Sequence, residues 1–217
     1  MIENKYIAEG IGTFALVFTG CGSAIVNDTF GGALGLVGVS LVFGLIVMAM
    51  IYSIGNISGA HINPAVTLGL LFAGKLEQKF VIPYISSQVV GAITAAILLH
   101  IIFPNHPTLG STMPSGSNVQ GFFMEVILTF ILMFVILNVV SGPKENGILA
   151  GLIIGGTVTL DILLGGPVTG ASMNPARSLG PALISGNFTS LWIYFIAPVL
   201  GAFIACKAHS LIRERKQ

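Results

Sequence analysis

The chain has 217 residues, 54% of them hydrophobic and only 8% charged, with a net charge of +1 and a mean hydropathy of +0.94. A soluble domain carries about 25% charged residues, so that class is excluded. A nucleic-acid partner is excluded as well, because there is no basic run beyond Arg213-Glu214-Arg215-Lys216. Lys, Arg, Asp and Glu are all missing from Thr29 to Gly74, from Phe80 to Met124 and from Ser178 to Cys206. Such stretches suit bilayer-crossing helices, each of which needs about 20 apolar residues.

In chain order, the start Met1-Ile2-Glu3-Asn4-Lys5 is short and mixed in sign and leads into an apolar run with no small-residue cleavage site, so no cleaved signal is expected. The first span covers residues 4 to 26 and the second 34 to 55. A piece at 64 to 74 starts at a proline and is too short to cross. Spans follow at 78 to 103, 118 to 141 and 146 to 165, then a second short proline-led piece at 175 to 185 and a sixth span at 189 to 212. Short apolar segments of this kind read as re-entrant half-helices. Phe18-Thr19-Gly20-Cys21 has the outline of a lipoprotein processing box, but Glu9 interrupts its apolar region, so that reading is set aside. Cys21 and Cys206 both lie in apolar segments, where a free cysteine packs as a small hydrophobe.

The chain repeats itself. Glu9-Gly10-Ile11-Gly12-Thr13-Phe14 is matched by Glu125-Val126-Ile127-Leu128-Thr129-Phe130, and Ser58-Gly59-Ala60-His61-Ile62-Asn63-Pro64-Ala65 by Thr169-Gly170-Ala171-Ser172-Met173-Asn174-Pro175-Ala176. Three spans per repeat is an odd number, so the second half is inverted relative to the first, and the functional site is expected at the midplane between the halves. The expectation is an all-α membrane protein of six transmembrane helices plus two re-entrant half-helices. It forms a single domain over residues 1–217, with inverted repeats of about 1–110 and 111–217. Lys5, Lys75, Lys79, Lys144, Lys207, Arg213, Arg215 and Lys216 all fall on one side of this arrangement. The positive-inside rule makes that side, with both termini, cytoplasmic. Arg177 is the exception, and an intramembrane charge is a functional candidate. Among the 28 glycines, Gly151-x-x-x-Gly155 in the fifth span is a close-packing pattern.

Asparagine is a preferred N-cap and proline a preferred first helical residue, so Asn63-Pro64 and Asn174-Pro175 start helices. In an inverted pair these starts meet head to head, each bringing about half a positive charge from its dipole, which disfavours a cation. The preceding loops, Gly59-Ala60-His61-Ile62 and Gly170-Ala171-Ser172-Met173, supply free carbonyls, and irregular backbone at that depth survives only in protein or along a wet cavity. Glu9 and Glu125 are natural acceptors for the loop N–H groups. The alternative for them is a proton relay, which needs a chain of ionisable groups that the sequence does not offer. His61 has no second His or Cys at ligand spacing, so it reads as pore-lining or loop-bracing rather than metal-binding. Asp161 reads as a helix-end cap near the outer surface, with a titrating gate as the alternative. Asn187-Phe188-Thr189 fits a glycosylation acceptor. Trp192, Tyr194 and Phe195 suit either an interfacial belt or a packed sixth helix.

Two Asn-Pro-Ala boxes in matching halves, with Ala8-Glu9-x-x-Gly12-Thr13, Ser58 to Thr67 and Asn174-Pro175-Ala176-Arg177-Ser178-Leu179-Gly180-Pro181, make the chain resemble the aquaporin, or major intrinsic protein, family along essentially its whole length. The resemblance implies a right-handed six-helix bundle with two half-helices, a homotetramer with one pore per subunit, and passive flux without a cofactor, and the residues themselves offer no metal site. It also implies an outer aromatic/arginine filter of Phe43, Ile162, Ala171 and Arg177. Water channels of the family usually carry His where Ile162 stands, while glycerol facilitators usually follow the arginine with Asp, where this chain has Ser178. The mixed filter resembles that of archaeal and some nodulin-like members and implies a somewhat wider, less polar gate. The expected function is a passive, multi-pass cell-membrane channel for water that also passes small uncharged solutes such as glycerol and excludes protons and ions. The alternative is a small-solute facilitator with water as secondary permeant. A secondary transporter lacks a coupling-ion site here. An intramembrane enzyme built on Ser172 lacks a paired His or a metal cluster. A purely adhesive role would require a closed pore.

Overall fold

The computed structural model describes residues 2–143 and 147–213. Lys144, Arg215 and Lys216, counted above for orientation, lie outside the described residues, as does the expected start of the fifth span at 146. The described chain is helical, without strands. Its helices are α1 (Ile2–Thr29), α2 (Gly35–Ser58), α3 (Pro64–Phe72), α4 (Val81–Ile102), α5 (Asn118–Val140), α6 (Ala150–Thr169), α7 (Pro175–Ser185) and α8 (Ile193–Arg213), with a 3-10 turn at Gln78–Phe80 before α4. Six of them, all but α3 and α7, are long and apolar enough to cross a membrane.

Helix ends follow local chemistry. Ser117 and Gln120 close α5 with a reciprocal capping box. Gly59 and Gly170 end α2 and α6 in the left-handed conformation, at φ +89° and +80°, which glycine adopts without strain. The sequence placed the ends of both helices three to four residues early, near 55 and 165. For α6 the misleading signal was Gly165-Gly166-Pro167, through which the helix in fact continues. Phe18 to Cys21 lies within α1, and Cys21 is fully buried.

The packing repeats with the sequence. Helix α1 lies along α4 as α5 lies along α8, and α2 crosses α6 between the halves. Each half-helix docks mainly on the last long helix of the opposite repeat, α3 on α8 and α7 on α4. Glycines permit the close crossings. A Cβ on Gly91 would come within 2.2 Å of the Gly10 carbonyl oxygen, and one on Gly201 within 2.4 Å of the Val126 oxygen. At the junction of the halves, Gly44 and Gly155 face each other, and a Cβ on either would approach the other's carbonyl oxygen to 2.5 Å. Side chains would force these backbones apart, as expected where helices associate through small residues. The basic Lys5 and Lys79 both lie over the Phe80 ring, placing the start of α1 and the turn before α4 at the same end of the bundle.

Candidate functional site

The two half-helices begin in the same way. Asn63 and Asn174 are extended, and each Oδ1 accepts from the backbone ahead: Asn63 from Ala65 N at 2.8 Å, and Asn174 from Ala176 N at 3.0 Å and Arg177 N at 3.2 Å. Pro64 and Pro175 follow at the first helical position, buried, where a missing N–H costs nothing. The amides then cross. Asn63 Nδ2 donates to the Met173 carbonyl at 2.8 Å and Asn174 Nδ2 to the Ile62 carbonyl at 2.9 Å. One N–H of each amide is thereby used to lock the halves, and one remains for the lumen.

The loops before the boxes hold an unusual backbone. Ala60, Ile62, Ala171 and Met173 have φ of +48°, +44°, +43° and +53°, a region that costs a non-glycine residue about 1–3 kcal/mol. The strain is offset by two fully buried carboxylates. Glu9 Oε1 accepts from Ser58 Oγ (2.7 Å) and His61 N (2.8 Å), and its Oε2 from Ile62 N and Gln88 Nε2 (both 2.7 Å). Glu125 Oε1 accepts from Thr169 Oγ1 and Ser172 N, and its Oε2 from Met173 N, all at 2.8 Å. Successive N–H groups turned toward one anion form a nest, and the same turn aims carbonyls away from the carboxylate. Both glutamates sit among donors rather than on a chain of ionisable groups.

A cavity of about 650 Å³ runs from Tyr52 and Asn56 at one end, past Asn63 and Asn174, to Arg177 at the other. Its wall includes Gly59, Ala60, His61, Ser172 and Met173, and Phe43, Ile162, Ala171 and Arg177 all line it. Gly170, expected to line it as well, does not. It terminates α6 against Thr112, and an added Cβ would stand 2.9 Å from that side chain. The Arg177 guanidinium is held by Nη1 donating to the Gly110 carbonyl (2.7 Å) and lies 5.2 Å from the Phe43 ring centre, while Nε has no protein partner. Phe43 occupies its place because Gly20 leaves room, for a Cβ there would come within 2.2 Å of the ring. Gly20→Ala is therefore expected to push the ring into the lumen and lower glycerol flux more than water flux, measured by stopped-flow light scattering on proteoliposomes. An unchanged ratio would show that the ring relaxes elsewhere.

Several supporting residues escaped the sequence reading. Tyr84 Oη donates to the Ser58 carbonyl (2.8 Å) and Tyr194 Oη to the Thr169 carbonyl (2.6 Å), matching positions in the two halves. Their spacing from Pro64 and Pro175, 20 and 19 residues, was the available signal. His61 Nδ1 lies 3.2 Å from Thr67 Oγ1, and the matching pair, Ser172 and Ser178, are joined through their hydroxyls at 2.5 Å. His61 thus both braces its loop and lines the cavity. Asp161 is not a helix-end cap: α6 runs two turns past it, it is only 4% exposed, and its Oδ2 is unpartnered. The aromatic alternatives separate, with Tyr194 fully buried and Trp192 and Phe195 facing outward. The Asn187 amide nitrogen lies within bonding distance of Ser111 Oγ (3.3 Å) and Met113 Sδ (2.9 Å). Among the described residues no group of three or more His, Cys, Asp or Glu could hold a metal ion.

The chain is similar to known proteins in sequence and in fold. The family model described as "Major intrinsic protein" matches residues 2–209. Aquaporin NIP1-1 of Zea mays is 47% identical over 211 residues, covering 97% of this chain and 75% of that protein. Nodulin-26 of Glycine max is 42% identical, covering 97% and 78%. The X-ray structure of the aquaglyceroporin from Plasmodium falciparum superposes with a TM-score of 0.87 at 29% identity, covering 99% of this chain and 98% of that one.

Proposed function

Because the chain belongs to the major intrinsic protein family, we propose that it is a multi-pass membrane channel that passes water and small neutral solutes such as glycerol. The observation that carries this reading is the cavity itself, one space lined from Asn56 to Arg177 and flanked by the two crossed asparagines. Flux is passive, with no catalytic step and no cofactor.

The finer reading assigns Asn63 and Asn174 as central donors, the loop carbonyls as a ladder of acceptors, and Phe43, Ile162, Ala171 and Arg177 as the selective constriction. Two half-helix dipoles meeting at the waist, with a fixed guanidinium beyond them, oppose protons and cations in a low-dielectric wall. Pro64, Ala65, Pro175 and Ala176 seat the helix starts, and Glu9 and Glu125 hold the loops. The arrangement is one domain over residues 1–217, assembling as a homotetramer in the cell membrane with both termini cytoplasmic. Aquaporin and aquaglyceroporin relatives together support both water and glycerol as permeants. The apolar Ile162 leaves the constriction without a polar narrowing group on that side.

Stopped-flow light scattering on proteoliposomes tests the reading, comparing osmotic shrinkage with glycerol-driven reswelling in one preparation. Fast water flux with a low activation energy is expected; flux no faster than bare lipid would sink the channel reading. Glycerol entry close to water in rate would make the solute-facilitator alternative the better description. Ile162→His is expected to lower the glycerol-to-water ratio, by adding bulk and a second polar group to the cavity that Arg177 lines. A raised ratio would contradict the assigned constriction.

A further inference from the structure

The turn that ends the half-helix α3 lies against the last turns of α8, and positive charge gathers there that the channel reading leaves without a role. Helix α3 docks on α8 through Cys206 Sγ, which donates to the Gly69 carbonyl at 3.2 Å, and through Phe72 and Phe203, whose rings meet edge to face at 5.5 Å. Residues three or four apart share a helix face, so the row from Cys206 continues to His209 and Arg213, and the row from Phe203 to Lys207. Lys207 Nζ indeed lies 5.4 Å from the Phe203 ring centre. Lys75 arrives from α3, after Gly74 at φ +67°, with its N–H returned to the Leu70 carbonyl at 2.8 Å. Lys75 and Arg213 are the charges that bear on the His209 ring. Among the described residues none of the four is paired with a carboxylate, whereas Lys79 at the same end meets Glu77 at 2.7 Å. His209 Nε2 is enclosed yet has no hydrogen-bond partner among the described residues, a cost that an anionic acceptor would recover.

We propose that Lys75, Lys207, His209 and Arg213 bind the phosphate of an anionic phospholipid whose acyl chain lies along Phe72 and Phe203. Lysine and arginine give phosphate oxygens charge-assisted hydrogen bonds, and an imidazole with its proton on Nε2 adds a further donor. Basic residues gathered between helices at a membrane face attract anionic headgroups. The occupant is a lipid rather than a free anion because the cations border apolar surface. Phe72 and Phe203 are 44% and 41% exposed, and α8 is long and apolar enough to cross a bilayer, so its end stands at headgroup depth. A headgroup held here ties the turn after α3 to α8, and so braces the half-helix that begins at Asn63.

The test titrates phosphatidylglycerol and, separately, phosphatidylcholine into the detergent-purified full chain and counts bound lipid by native mass spectrometry. The wild-type chain is expected to bind phosphatidylglycerol the more tightly. Lys75→Gln and Arg213→Gln are each expected to weaken that binding about fivefold, the worth of one cation near an anionic headgroup, and to leave phosphatidylcholine binding unchanged. Lys75→Arg, which keeps the charge, is expected to retain it. Lys79→Gln, which removes a cation already paired with Glu77, is the control and is expected to have no effect. Equal affinity of the wild type for the two lipids would overturn the proposal. So would an equal loss in Lys79→Gln, which would mean diffuse surface charge, or displacement of phosphatidylglycerol by inorganic phosphate at matched concentration, which would mean a free-anion site. Water flux of all four variants in phosphatidylcholine proteoliposomes is expected to match the wild type, so the proposal can fail while the channel reading stands.

Discussion

Arg177→Val is expected to raise glycerol flux relative to water flux by about tenfold, equivalent to removing about 1.4 kcal/mol from the glycerol barrier. Arg177 is 5% exposed, its Nη1 is fixed by the Gly110 carbonyl, and it lines the cavity together with Phe43, Ile162 and Ala171. Valine removes the long side chain and leaves a wall of three apolar groups and a freed carbonyl. Water, already small enough to pass, gains little, whereas a three-carbon solute gains width. Valine also removes a buried positive charge, so proton leak in a pH-jump assay on the same vesicles should rise. An unchanged solute ratio would take Arg177 out of the selective constriction.

Glu125→Gln is expected to lower stability by about 1–3 kcal/mol, the cost of a buried donor left without its acceptor, and to cut water flux sharply. The glutamine oxygen can still accept from Thr169 and Ser172, but its NH2 would face the Met173 N–H, which now bonds to Oε2. The Met173 carbonyl receives Asn63 Nδ2, so displacing that residue loosens the lock between the halves. Thermal unfolding in detergent and stopped-flow flux measure the two effects. The same variant separates the scaffold from the relay. A proton relay has no part in water flow, so an amide in a relay would leave stability and water flux intact; that outcome would reject the scaffold role.

Much of the site was legible in the sequence because it is written twice. The paired Asn-Pro-Ala boxes, the two Glu-x-x-x-Thr-Phe runs and the proline-led short segments each carry a local reason, a cap, a buried acceptor or a helix start, and duplication made chance agreement implausible. The threonines of those runs are the exception in detail. Thr13 and Thr129 donate their hydroxyls back to the carbonyls of Glu9 and Glu125 in their own helices rather than to the loops. The tyrosine supports were missed because a carbonyl partner 26 or 25 residues away leaves no periodic trace. Asp161 was misread because Gly165-Gly166-Pro167 resembles a helix end, yet tertiary packing carries α6 through it to Thr169.

Sequence alone determined that this chain is a membrane bundle of six spans and two half-helices, because hydropathy and helix capping act over a few residues. It also determined that the halves are inverted, because three spans per repeat admit no other arrangement. Which carbonyl each asparagine amide meets, where Arg177 is anchored and which glycine makes room for Phe43 were decided only by the tertiary structure. Those contacts join Asn63 to Met173, Arg177 to Gly110 and Phe43 to Gly20. Their geometry depends on the crossing of α2 and α6 at Gly44 and Gly155, a close approach of two backbones that no local preference encodes.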